Sequence, residues 1–380
     1  MAVTTPAASL EGGSTTPERQ AARSGLSDAT PITTAWLDLT RIAAMFAVVV
    51  VHVFAPVVTT RYAEFGDPTW WLANSVDSAV RWCVPIFVMI SGALLLTPRI
   101  EGLRSFYARR FSRIGVPLAV WTLVYLAWER LRSGISVSDA VGAVMSGNPS
   151  LHLYFLFVLA GLYLLTPFLR VLTRYCPRRM LWSFAVLMVA LGVVNQAIAA
   201  FDNAGEPNAV TRFLPYVGYY VMGYLLREVP LTRRHTWLAG GVFVASVAAT
   251  AVGAWALGKI SGGWGTESNY LYDYLSPTVV VMSVAAFLLF RAVGTGWPLL
   301  TAPDRETESA RRRLKTLADL SFGVFLVHVL VLYTVRDFTG IPDYPLGMTA
   351  MASVHLAVVL LASFAVTFVF RRTPWLRATV

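Results

Sequence analysis

Charge is what this chain has least of. Only 14% of its 380 residues are charged, while 56% are hydrophobic, which leaves too little polar sequence to coat a soluble core of that size. A polytopic membrane protein needs this balance, because lipid is then its solvent. Cysteine is also scarce: Cys83 and Cys176 are the only two, in separate contexts and without metal-ligand spacing. Neither a disulfide framework nor a zinc site is expected, and no metal is assigned to the site. The first 34 residues lack any apolar run and are rich in Ala, Ser, Thr, Gly and Pro. That excludes a cleavable signal peptide within them and reads as a disordered cytoplasmic tail, 1–34.

What is present is a series of apolar segments, each near the length that crosses about 30 Å of hydrocarbon at about 1.5 Å per residue. They fall at about 36–58, 74–97, 112–129, 151–171, 180–200, 211–226, 235–257, 271–292, 318–336 and 347–370. The expected fold class is all-α, a polytopic membrane protein of about ten transmembrane helices. Residues 35–372 make one transmembrane domain, and 373–380 a short cytoplasmic tail. The stretch Gly294–Thr316, with "PDRETESARRRLK", reads as a charged loop.

Arginine and lysine cluster on alternate connections, as in Arg99, Arg104, Arg109, Arg110 and Arg113, or Arg170, Arg174, Arg178 and Arg179. The positive-inside rule puts those connections and both termini in the cytoplasm, which requires an even number of spans. Topology thus accounts for the net charge of +10, and no nucleic-acid partner is expected.

The first apolar segment, "LDLTRIAAMFAVVVVHVFAP", carries Asp38, Arg41 and His52. Eleven helical residues turn through about 1100°, so Arg41 and His52 lie within about 20° of each other and about 16 Å apart along the axis. Asp38 precedes Arg41 by three residues, a spacing at which side chains pair. An ionisable group in a span costs about 2.5–3.5 kcal/mol on insertion scales and therefore faces protein or a wet cavity. From this helix alone two readings of each stand: Arg41 snorkels to headgroups or serves function, and His52 bridges helices or does chemistry. Asp77 and Arg81, at the depth of His52 on the next segment, either meet the imidazole or pair with each other at i, i+4.

Further strings follow in order: "VPIFVMISGALLL", which contains Ser91, then "RRFSRIGVPLAVWTLVY", "HLYFLFVLAGLYLLTPFLR", "YVGYYVMGYLL", "YLSP" and "LSFGVFLVHVLV". With Arg41 and His52 ahead of them, the series resembles the acyltransferase family 3 membrane proteins, over nearly all of the chain from Trp36 onward. Tyr154 stands where that family often has tryptophan.

The resemblance implies O-acylation in the cell envelope. An acyl group, usually acetyl from cytosolic acetyl-CoA, passes to a hydroxyl of a polysaccharide, other glycan or lipid-linked acceptor. It also implies a multi-pass protein of the bacterial cytoplasmic membrane, in contact with membrane lipids. By it His52 is catalytic and Arg41 essential, Arg110 and Arg113 serve the donor, and His328 lines the substrate cavity. Asp38, Ser91 and His152 are further candidates for the substrate site, His152 at the outer face, where it caps a helix or contacts acceptor. The chemistry is compatible: guanidinium forks grip phosphate oxygens, and an imidazole of pKa about 6.5 takes and returns a proton near neutrality. Whether His52 acts as base or is itself acylated stays open. A secondary transporter of a lipid-linked saccharide is the alternative reading. A haem held by His52 and His328 is a third, without supporting spacing.

Overall fold

The computed structural model describes residues 35–60, 66–97, 101–201, 208–301, 305–339 and 345–380; the expected N-terminal tail lies outside them. Among the described residues the chain is helical, without strands. In order the helices are α1 (Ala35–Thr60), α2 (Pro68–Val80), α3 (Cys83–Leu95), α4 (Leu103–Arg110), α5 (Val116–Ser133), α6 (Val137–Met145), α7 (Tyr154–Tyr175) and α8 (Arg178–Phe201). There follow α9 (Val217–Leu226), α10 (Arg233–Ile260), α11 (Thr266–Asn269), α12 (Pro277–Gly296), α13 (Pro298–Thr301), α14 (Arg305–Thr339) and α15 (Pro345–Arg372).

Nine helical stretches among the described residues are long and apolar enough to cross a membrane, and the chain is a multi-pass membrane protein. The remaining expected segment, 211–226, is a turn, Leu214–Tyr216, leading into α9. Ten residues of helix rise only about 15 Å, and α9 is enclosed by protein, with Val217, Tyr219, Tyr220 and Leu225 buried.

Together with α2–α3 and α14, α1 is one of the three most enclosed spans. Inside the protein 56% of its most apolar window is buried, against 22% for α8 and α15, and it packs on α2, α3, α12, α14 and α15. A helix so placed can carry Arg41 and His52 without presenting them to lipid.

Glycine explains the closest helix contact. A Cβ on Gly92 of α3 would lie 1.8 Å from the Tyr220 carbonyl oxygen, and one on Gly223 of α9 would lie 2.0 Å from that of Met89. The two backbones touch there, as only small residues allow between membrane helices.

Proline explains the irregularities. Pro85 has no N–H for the carbonyl of Arg81, four residues earlier, and the second span breaks at Arg81–Trp82 into α2 and α3. Pro117 has none for Arg113, and the chain between α4 and α5 opens into a π turn, Phe111–Gly115. Pro56 inside α1 has none for the carbonyl of His52. Arg336 supplies the missing donor, reaching the His52 and Val53 carbonyl oxygens at 2.8 Å each.

The basic residues do more than set topology. Arg170 and Arg227 donate to the carbonyls of Leu95 and Ala93 at the end of α3, at 2.6 and 2.7 Å. Arg178 and Arg291 do the same for Leu225 and Leu226 at the end of α9, at 2.9 and 2.7 Å. Each satisfies carbonyls that a helix end leaves without partners.

One expectation is corrected. The stretch expected as a charged loop is helical from Arg305 onward, the start of α14, because Glu308–Arg312 and Lys315–Asp319 pair at i, i+4. Trp36, Trp70 and Trp121 are buried in protein. The indole of Trp121 donates to the Thr379 carbonyl at 2.8 Å, so the last residues turn back onto α5.

Candidate active site

Three histidines from three distant segments converge. The ring centroids of His52 (α1) and His328 (α14) are 5.1 Å apart, those of His328 and His152 (the turn before α7) 5.1 Å, and those of His52 and His152 6.3 Å. His152 and His328 are buried, and His52 is half-buried. The Nδ1 of His328 lies 2.7 Å from the Phe325 carbonyl oxygen. A carbonyl only accepts, so Nδ1 carries the proton and Nε2 keeps a bare lone pair. That Nε2, together with both ring nitrogens of His152, is buried without a hydrogen-bond partner. An orphaned buried polar atom costs about 1–3 kcal/mol, so three of them side by side mark a place kept for something other than stability.

The aromatic shell around the trio is tight. His152 packs edge-on to Tyr125 at 4.9 Å and to Phe325 at 5.3 Å. The Tyr125 hydroxyl donates to the Leu326 carbonyl at 2.8 Å, tying α5 to α14 beside the histidines. With His52 and His328 in direct ring contact, no porphyrin plane fits between them, and the haem reading falls.

A narrow cleft of about 130 Å³ is lined by Arg41 of α1, Ser91 of α3, Arg110 and the π-turn Arg113, and by Tyr163, Asp319 and Ser321. Asp38 holds Arg41 at 3.3 Å. Arg110 lies over the rings of Phe106 and Tyr163, at 5.5 and 5.7 Å. Among the described residues no carboxylate pairs with Arg110 or Arg113, which leaves their forks for an anion. The other end of the cleft is walled by Phe87, Phe155 and Phe325.

The expected site residues therefore fall into two groups. Arg41, Ser91, Arg110 and Arg113 line one cleft with Asp38 braced against it, and His52, His152 and His328 form the imidazole cluster. Asp77 is elsewhere: it pairs with Arg81, whose guanidinium lies over the Tyr272 ring at 4.2 Å. His152 was expected at the outer face, capping a helix or meeting acceptor; it is buried and caps nothing. His355 makes a packing bond, Nε2 to the Thr339 hydroxyl at 2.7 Å. His235 closes the capping box of α10 with Thr232.

Residues that the sequence did not single out are Tyr125, Phe325 and Arg336. Arg336 had a signal, since Pro56 strips a donor from the carbonyl of His52. Tyr125 and Phe325 had none.

A family model described as an acyltransferase domain matches residues 34–372. The chain belongs to the acyltransferase 3 family. No curated protein and no solved structure matches it. Membership covers both the arginine cleft and the histidine cluster, so the two are parts of one membrane acyltransferase domain.

Proposed function

We propose that the protein transfers an acyl group, acetyl in the simplest case, from cytosolic acyl-CoA to a hydroxyl of a glycan or lipid-linked acceptor. What carries this reading is one juxtaposition: three arginines from two separate segments share a cleft whose far wall, at Phe325, also touches the imidazoles. In it Arg110 and Arg113 take phosphate oxygens of the CoA moiety by bidentate hydrogen bonds. Arg41, restrained by Asp38, adds a further cation beside the pantetheine arm, and Ser91 offers a hydroxyl to it.

At the histidines the acceptor hydroxyl gives its proton to His52 as its oxygen attacks the thioester carbonyl. The tetrahedral centre then collapses, the C–S bond breaks, and the CoA thiolate recovers the proton from the imidazolium. His328, its tautomer fixed by the Phe325 carbonyl, presents a lone pair to the same space. A hydrogen bond from neutral His52, or from its imidazolium, is what that lone pair suits.

The test uses membranes containing the full chain and radiolabelled acetyl-CoA. Label on an envelope hydroxyl with stoichiometric CoA release supports the transferase. Uptake of a saccharide without acylation supports a transporter instead.

A further inference from the structure

The cleft and the histidines meet at a layer of aromatic rings. Phe87, Phe155 and Phe325 stand between them, with centroids 5.8 Å apart for Phe87–Phe155, 5.6 Å for Phe155–Phe325 and 6.4 Å for Phe87–Phe325. Those are the separations of rings in contact, and water does not pass between rings so packed. All three face the cleft. On the other side Phe325 lies 5.3 Å from His152 and 5.9 Å from His328. The nitrogens behind it, both of His152 and Nε2 of His328, have no access to solvent.

We propose that Phe87, Phe155 and Phe325 form a barrier one ring thick, which decides whether the acyl group goes to an alcohol or is lost to water. The choice of acceptor atom rests on the acyltransferase reading; the seal itself does not. In productive transfer the acceptor oxygen bonds to the acyl carbon, the C–S bond breaks, and CoA leaves as the thiol. If water takes the acceptor's place the same bonds form and break, giving free carboxylic acid and CoA. Only the exclusion of water separates the two outcomes, which is what a closed apolar wall provides.

Phe325 is suited to be the moving part. Its side chain makes no polar bond and is held by packing in the buried core, a sum of contacts each worth only about 0.1–0.2 kcal/mol. Its backbone carbonyl, one turn before His328, holds the imidazole independently of the side chain. The ring can thus swing for a thioester while the histidine keeps its tautomer. The same layer lines the cleft beside this centre, so in the proposal it also seals the protein against ions.

The experiment places the full chain in phosphatidylethanolamine–phosphatidylglycerol vesicles and reads two signals: thiol released from acetyl-CoA without added acceptor, and decay of an imposed pH gradient. Phe325→Ala is expected to raise acceptor-free CoA release by about fivefold or more and to speed the gradient's decay, with Phe325→Leu in between. Wild-type values of both signals in folded Phe325→Ala protein overturn the proposal. If that variant is not recovered folded, Phe155→Leu and Phe87→Leu carry the same expectation and the same refutation. A wild-type protein that releases no CoA with any acceptor overturns the acyltransferase reading alone. The pH gradient then still decides the barrier.

Discussion

His52 and Arg110 separate what a base does from what a phosphate grip does. Replacing His52 by Gln keeps size and hydrogen bonding but removes proton acceptance. It is expected to lower kcat by about 10²- to 10⁴-fold, the usual worth of general acid–base catalysis, with acetyl-CoA binding unchanged by equilibrium titration. Replacing Arg110 by Lys keeps the charge and loses the fork. One charge-assisted hydrogen bond is worth about 1.5–3 kcal/mol, so KM for acetyl-CoA should rise about tenfold or more while kcat changes little. A variant pair that moved both constants together would leave the two-part site without support. At this scale the sequence was informative wherever a residue broke a rule of its surroundings: Arg41 and His52 stood out because an apolar helix carried them on one face. Phe325 and Tyr125 broke no rule, because an aromatic in an apolar span looks the same facing a histidine or facing lipid.

Elements are shaped here by prolines whose missing N–H groups must be made good. Pro56 frees the carbonyl of His52, and Arg336 of α14 donates to it and to that of Val53. Arg336→Met should leave the His52 carbonyl short of a donor, at about 1–3 kcal/mol, and lower the thermal midpoint of the purified protein. Pro56→Ala restores a backbone donor, so the double variant should recover part of that loss, a coupling that a thermodynamic cycle reads directly. Strict additivity of the two changes would disprove the account.

Outside the membrane, α6 opens on a capping box in which the Ser136 hydroxyl and backbone N–H both donate to Asp139, at 2.6 and 3.0 Å. These bonds hold the Asp139 carboxyl below the usual carboxylate range. A lowered folded pKa contributes stability above the unfolded value, about 3.9, and loses it as the pH falls through the folded one. Asp139→Ala should therefore speed amide exchange at the start of α6 near neutral pH. The difference from wild type should vanish once the native carboxyl is protonated. The boundaries of α2, α3 and the π turn were open to the same proline argument from sequence, whereas the crossing of α3 on α9 was not. Gly92 and Gly223 lie 131 residues apart in the chain, and nothing local says that they meet.

For the molecule as a whole, the all-α, multi-pass architecture followed from composition and segment length, since lipid demands that backbone polar groups be satisfied within helices. The positive-inside rule predicts its orientation, and the proposed mechanism depends on that prediction. The arginine cleft has to open where acyl-CoA is made. Arg170 and Arg291 cap the adjoining ends of α3 and α9, and Arg170 shares the Phe106 ring with Arg110, so structural and topological demands for positive charge coincide there. The native thiols offer a clean background: Cys83 is buried, and Cys176→Ser removes the other. On that background Ser138→Cys, in exposed α6, should react with a membrane-impermeant maleimide in intact cells. Ser309→Cys, at the start of α14, should react only after permeabilisation. If Ser309→Cys is labelled first, the cleft faces away from the cytosol. An acyl-CoA could not reach Arg110 and Arg113 there, and the donor assignment would fail whatever the histidines do.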